Sequence, residues 1–150
     1  MICHGNICRS TMAEFVLKDM VKNMGLSNSY LIKSSATSRE AIGSDTHSGT
    51  KRKLKEMQIP FTKRKAVQVT KRDYNTYDYL LCMDRNNINN LIKITGGDPD
   101  NKIHLLTEFT GNTRNIADPW YTNNFDETFD DINESCIAFL KHTKNQIVNK

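Results

Sequence analysis

YDYLLCM, residues Tyr77–Met83, is an almost unbroken apolar run of strand length. Such a run suits a strand buried on both faces, as in parallel sheets covered by helices. The next segment reads as a helix: Asp84 stands at a capping position, Ile88, Leu91 and Ile92 recur at helical steps, and Gly96-Gly97 closes it. Ile103–Leu106 is the next strand. Upstream, Ala66–Val69 reads as a short strand, and Thr70 with Asp73 as a capped helical turn. A helix over Thr50–Met57 stops at Ile59-Pro60, and Tyr30–Ser34 reads as another short strand. The first helix carries Met12, Ala13, Val16, Leu17, Met20, Val21 and Met24 on one stripe, with Ser10 as its cap and Gly25 as its end. The last begins near Asp126 and spaces Phe129, Ile132, Cys136, Phe139, Leu140 and Ile147 helically. Strands alternating with helices specify an α/β fold with a parallel sheet. Ligands in such folds bind at the carboxyl ends of the strands.

With 150 residues, ordinary apolar and charged fractions, and neither repeats nor a long linker, the chain is expected to form one domain. The net charge of +4 is modest, and the basic residues in KRKLK (Lys51–Lys55) and KRK (Lys63–Lys65) accompany no nucleic-acid motif. No nucleic-acid partner is therefore expected, although a mild positive field suits anionic substrates. No apolar run approaches the roughly 18 residues of a membrane span. Met1 and Ile2 lead straight into a polar loop rather than through a secretion signal. The expectation is a cytoplasmic protein with no membrane partner, in which Cys3, Cys8, Cys82 and Cys136 are thiols.

The chemistry gathers in CHGNICRS, Cys3–Ser10, between a strand position and the first helix. The spacing is C-x5-R with Ser10 next. A loop of that length can curl until its backbone N–H groups point inward and hold an anion. The start of the following helix adds free N–H groups and the positive end of its dipole. Arg9 offers a planar fork that matches two phosphate oxygens. Cys3 lies at the base of this cup, and a thiolate there is a nucleophile facing a bound phosphoryl group. Gly5 permits backbone angles closed to other residues, Asn6 tolerates the left-handed region, and the Ser10 hydroxyl can hydrogen-bond the Cys3 sulfur as it leaves. Phosphoryl transfer from an alcohol also needs an acid for the leaving oxygen. Asp118, in ADPWY (Ala117–Tyr121), is the candidate, with Pro119 stiffening the segment and Trp120 and Tyr121 offering flat walls to an aromatic leaving group.

Other reactive side chains read more plainly. Cys3, His4 and Cys8 lack the close spacing and fourth ligand of a metal site. His47, His104 and His142 stand alone and read as surface or satisfied core residues, Cys82 and Cys136 as packing. Cys8 stays open between two readings. It can close a disulfide with Cys3 under peroxide, shielding the nucleophile, or it can pack beneath the loop.

CHGNICRSTMAE (Cys3–Glu14), SATS (Ser35–Ser38) with Ile42-Gly43, YDYLLCMD (Tyr77–Asp84), GGDP (Gly96–Pro99) and ADPWYTNNFD (Ala117–Asp126) resemble the low-molecular-weight protein tyrosine phosphatases, especially their bacterial members. The likeness runs over nearly the whole chain. It implies a single α/β domain, residues 1–150, with a four-stranded parallel sheet flanked by helices and a phosphate loop between the first strand and first helix. It implies Cys3 as nucleophile, Arg9 as phosphate-binding arginine and Asp118 as general acid. It further implies Asn6 as a strained asparagine held by Ser34, and Ser10 as the serine that eases thiolate departure. His4, Gly5, Ile7 and Cys8 complete the substrate-facing loop; Glu40, Trp120 and Tyr121 stand at the pocket wall. The implied reaction passes through a phosphocysteine, on phosphotyrosine proteins or small aryl phosphates, with neither metal nor organic cofactor. Oligomeric state is left open, a monomer being compatible.

Four departures from the family pattern stand out. Only Met1 and Ile2 precede the nucleophile where members carry an apolar strand of several residues, so the first strand is expected to be short. Thr11 replaces a usual proline, Glu40 a frequent aromatic, and Lys33 a residue that is acidic in some relatives. Protein arginine phosphatase, a sister activity, has threonine where Ile7 stands; a branched apolar side chain favours a phenyl ring over a guanidinium. Arsenate reductase needs two further clustered cysteines, and Cys82 has no such neighbour. A phosphate-binding module that has lost catalysis would suit a shortened first strand, but the presence of Cys3, Arg9 and Asp118 favours an enzyme.

Overall fold

The structure, a computed structural model, describes residues 1–148. Its sheet holds β1 (Ile2–Cys3), β2 (Ser35–Ala36), β3 (Leu80–Cys82) and β4 (Ile103–Leu105), all parallel, in the order β2-β1-β3-β4. The helices are α1 (Arg9–Asn23), α2 (Ser48–Glu56), α3 (Lys71–Thr76), α4 (Arg85–Thr95), α5 (Pro119–Thr122) and α6 (Phe125–Val148). Among the described residues, no helix is long and apolar enough to cross a membrane.

Alternation along β3 divides the core. Leu81 and Met83 join Met12, Val16, Leu54 and Ile132 beneath α1, α2 and α6. Leu80 and Cys82 join Tyr74, Leu91 and Ile103 beneath α3 and α4. That two-sided burial is why Tyr77–Met83 is apolar almost throughout. Local capping sets several helix ends: Thr70 with Asp73, and Asp84 with Asn87, form reciprocal capping boxes, and Gly96 ends α4 in the left-handed region at φ 81°. α1 differs from the expectation at its start. Its N-cap is Cys8, no side chain caps it, and Ser10 lies inside the first turn. The free N–H groups of that turn are thereby left to the loop.

The strands are shorter than expected. Tyr30–Ser34 forms none, Tyr77–Met83 contracts to Leu80–Cys82, Ile103–Leu106 loses its last residue, and Ala66–Val69 makes only a bridge from Gln68 to Ala36. A strand exists only where a neighbour pairs with it, and β1 runs between β2 and β3. Met1 N donates to Lys33 O (2.9 Å), Ser35 N to Met1 O (3.0 Å) and Met83 N to Ile2 O (3.2 Å). Before that level, residues 30–34 and 77–81 flank a cleft of about 690 Å³, lined by Tyr30, Ile32, Tyr79 and Leu81 among others. Among the described residues, no backbone N–H of residues 31–34 bonds to another backbone group. Fusing four β-branched residues ahead of Met1 is therefore expected to stabilise the fold by about 1–3 kcal/mol, raising Tm by roughly 2–10 °C. Thermal unfolding of the two chains checks this, and an unchanged Tm would show that the cleft does not accept a strand.

Candidate active site

In the sheet order, β1 and β3 flank the point where the connections change direction, the usual ligand crevice of an open α/β sheet. Loop 3–9 leaves β1 at this point, and Asp84 follows β3 beside it. The loop is shaped around Asn6, fully buried with φ 58°. Its Nδ2 donates to Ser10 Oγ (2.8 Å) and Ser34 Oγ (2.9 Å), and its Oδ1 accepts from Val67 N (3.2 Å) and Arg64 Nη2. Arg64 Nη1 also donates to Asn6 O (2.7 Å), while the Ser34 hydroxyl donates to Glu14. A left-handed asparagine costs free energy, and these partners on three separate segments hold it there. Burial draws the Arg64 guanidinium down from its ordinary value, opposed by Glu14 and Asp45.

The Cys3 sulfur lies inside the curl, accepting from Asn6 N–H (3.2 Å) and 3.0 Å from Ser10 Oγ. A protonated thiol donates to that hydroxyl. Because Ser10 Oγ already accepts from Asn6, its own proton is free to turn to an ionised sulfur. Gly5 does not adopt a positive φ, contrary to its expected use; a Cβ there would lie 3.7 Å from Ile7 Cγ1, in ordinary contact. Thr11, in place of proline, sets its hydroxyl between Ile7 O (3.2 Å) and Cys8 O (3.1 Å) and ties the loop to α1. Cys8 is buried, and burial first, then Asp118, pushes its thiol up to about 12.

Arg9 is only 2 % exposed. Its Nη1 donates to Asp84 Oδ2 (2.7 Å) and Ile116 O (2.8 Å), and its Nη2 reaches Asp118 Oδ2 at 3.4 Å. Removing one partner of a buried pair such as Arg9–Asp84 is costly, so the guanidinium is fixed before any ligand arrives. Asp118 caps α5, its Oδ1 accepting from Trp120 N (3.0 Å), which leaves Oδ2 turned toward Arg9. Trp120 and Tyr121 share that short helix and are 60 % and 82 % exposed. At the rim, His4 Nε2 lies 2.8 Å from Glu40 Oε2.

The structure thus gathers Cys3, Asn6, Arg9, Ser10, Ser34 and Asp118. It adds Arg64, Glu14 and the Arg9 contact of Asp84, none of which the sequence pattern places at the site. His104 is satisfied by Glu108 and Asn101 O, and His142 packs on Phe109. His47, solitary in the sequence, instead caps α2 and stacks against aromatic rings.

Residues 1–149 match the family model described as low molecular weight phosphotyrosine protein phosphatase. The chain is 33 % identical over 141 residues to the low molecular weight protein-tyrosine-phosphatase YfkJ of Bacillus subtilis, covering 93 % of this chain and 90 % of that one. The crystal structure of YfkJ superposes with a TM-score of 0.93, 97 % of this chain and 92 % of that one being covered at 31 % identity. The low molecular weight protein tyrosine phosphatase of Streptococcus pyogenes gives a TM-score of 0.84 at 41 % identity, over 94 % and 89 % of the two chains.

Proposed function

Since the chain belongs to the low molecular weight phosphotyrosine protein phosphatase family and is a cysteine-dependent protein tyrosine phosphatase, we propose that Cys3 is its nucleophile, Arg9 its phosphate clamp and Asp118 its general acid. The observation that carries the assignment is the position of the Cys3 sulfur, within 3.2 Å of an inward N–H and beside the first turn of α1. That turn and the Arg9 fork receive the phosphoryl oxygens.

In the first step the Cys3 thiolate attacks phosphorus. The S–P bond forms as the P–O bond to the phenol breaks, and the Asp118 carboxyl proton passes to the departing oxygen. In the second, the Asp118 carboxylate takes a proton from water as that water attacks phosphorus. The S–P bond breaks and the Ser10 hydroxyl stabilises the departing sulfur. The sum is phosphotyrosine plus water giving tyrosine plus phosphate. Small aryl phosphates fit the same scheme, and the branched apolar Ile7 of the loop favours a phenyl ring over a guanidinium. A reducing cytoplasm keeps such a thiol active. All the named groups come from one chain, so a monomer suffices.

Rapid acid quenching during turnover, with fragmentation mass spectrometry of the quenched protein, tests the reading. A phosphoryl group is expected on Cys3 and none on Cys8, whose buried thiol stays neutral. A steady-state reaction with no adduct on Cys3, or with the adduct on another residue, would reject it.

A further inference from the structure

His47 connects the phosphate loop to the segment that carries Asp118. Its backbone N–H donates to Ile7 O (2.8 Å) within the loop. Its Nδ1 accepts from Gly49 N–H (3.0 Å), which fixes the ring and its tautomer. One face of the ring stacks on Phe125, with centroids 5.6 Å apart and planes 15° from parallel. Trp120 meets the ring edge-on, also at 5.6 Å, with an interplanar angle of 75°. Both are favourable aromatic geometries. Phe125 can occupy this place because residue 49 has no side chain: a Cβ there would lie 2.3 Å from Phe125 Cζ.

Trp120 lies within the four-residue helix α5, whose N-cap is Asp118, and Phe125 follows it as the first residue of α6. A helix so short has little stability of its own, so its placement depends on its anchors. Ile116 N–H to Met83 O (2.8 Å) and the Thr128 hydroxyl to Ala117 O (3.1 Å) secure the base of the segment. The ring of His47 secures the Trp120 side. We infer that His47 is a positioning residue, its ring clamping Trp120 and Phe125 so that the Asp118 carboxyl is held over the phosphate loop. The inference rests on Asp118 being the acid.

Two substitutions separate the ring from the cap. His47→Asn keeps a capping acceptor and removes the ring, whereas His47→Phe keeps the ring and removes the acceptor. The readout is kcat/KM across aryl phosphates, from p-nitrophenyl phosphate, whose leaving group needs little protonation, to phenyl phosphate, which needs much. His47→Asn is expected to lose about tenfold on phenyl phosphate and at most roughly threefold on p-nitrophenyl phosphate, a weaker copy of the Asp118→Asn profile, while His47→Phe tracks wild type. Phe125→Leu, which thins the same stack from the other side, should reproduce the His47→Asn profile and keeps the test decidable if His47→Asn folds poorly. An equal loss on every substrate in His47→Asn and Phe125→Leu, or a His47→Phe profile as steep as that of His47→Asn, overturns the inference. If Asp118→Asn itself gives equal losses throughout the series, the assignment of the acid fails, and the positioning role fails with it.

Discussion

Cys3→Ser is expected to abolish turnover of p-nitrophenyl phosphate, with a loss of roughly 10⁵–10⁶ in kcat, the scale seen when a covalent nucleophile is removed. The two groups within hydrogen-bond reach of the sulfur, Asn6 N–H and the Ser10 hydroxyl, are suited to donate to an anion. Neither is a base that could take a proton from an alcohol. A serine hydroxyl at this position therefore stays protonated and unreactive, since an alcohol needs an adjacent general base to attack. The cup itself survives the change. Asn6 keeps its bonds to Ser10, Ser34 and Arg64, and Arg9 keeps Asp84 and Ile116 O. Inorganic phosphate should accordingly still bind Cys3→Ser within about threefold of wild type by calorimetry, because the phosphate contacts come from the helix start and the arginine fork. Turnover by Cys3→Ser at a tenth of the wild-type rate or better would remove sulfur from the mechanism.

How much of the molecule is legible in its sequence depends on how far apart the interacting residues are. The starts of α3 and α4, unlike that of α1, whose N-cap is Cys8 rather than Ser10, were legible because their determinants are local, Thr70 with Asp73 and the capping Asp84. The loop was legible for the same reason, with Cys3, Asn6, Arg9 and Ser10 inside eight residues. Strand lengths were not. Tyr30–Ser34 has the composition of a strand, but pairing belongs to the neighbour, and β1 runs alongside only Ser35–Ala36. The supports of the loop were hidden too. Arg64 reaches Asn6 from 58 positions away, and in KRK it looks like any solvated basic residue. Asp84 was legible as a helix cap but not as the partner of Arg9, 75 positions distant. The aromatic site of His47 depends on Gly49 being bare beneath Phe125, a fact of packing that no local pattern encodes.

Asp118→Asn is expected to lower kcat/KM on phosphotyrosine by about 10²–10⁴-fold, the contribution of a well-placed general acid. The substitution separates chemistry from scaffolding. In the native chain Oδ1 serves the cap of α5 and Oδ2 faces Arg9, so the two oxygens have different tasks. Asparagine caps a helix about as well as aspartate, whereas alanine costs about 1 kcal/mol, or roughly 2–4 °C in Tm. With its oxygen kept at Trp120 N–H, the asparagine amide turns two donors toward Arg9 Nη2. That conflict is mild, because the native contact is long at 3.4 Å and the Asp118 side chain is 23 % exposed. Asp118→Asn should therefore melt within a degree or two of wild type, while Asp118→Ala melts slightly lower. Both should nevertheless be slow to a similar extent, since neither can protonate the phenolic oxygen. Parallel melting curves and initial rates for the three proteins decide the point. An Asp118→Asn enzyme that hydrolyses phosphotyrosine within about threefold of wild type would mean that the leaving oxygen takes its proton from another group, and the acid would have to be sought elsewhere around the loop.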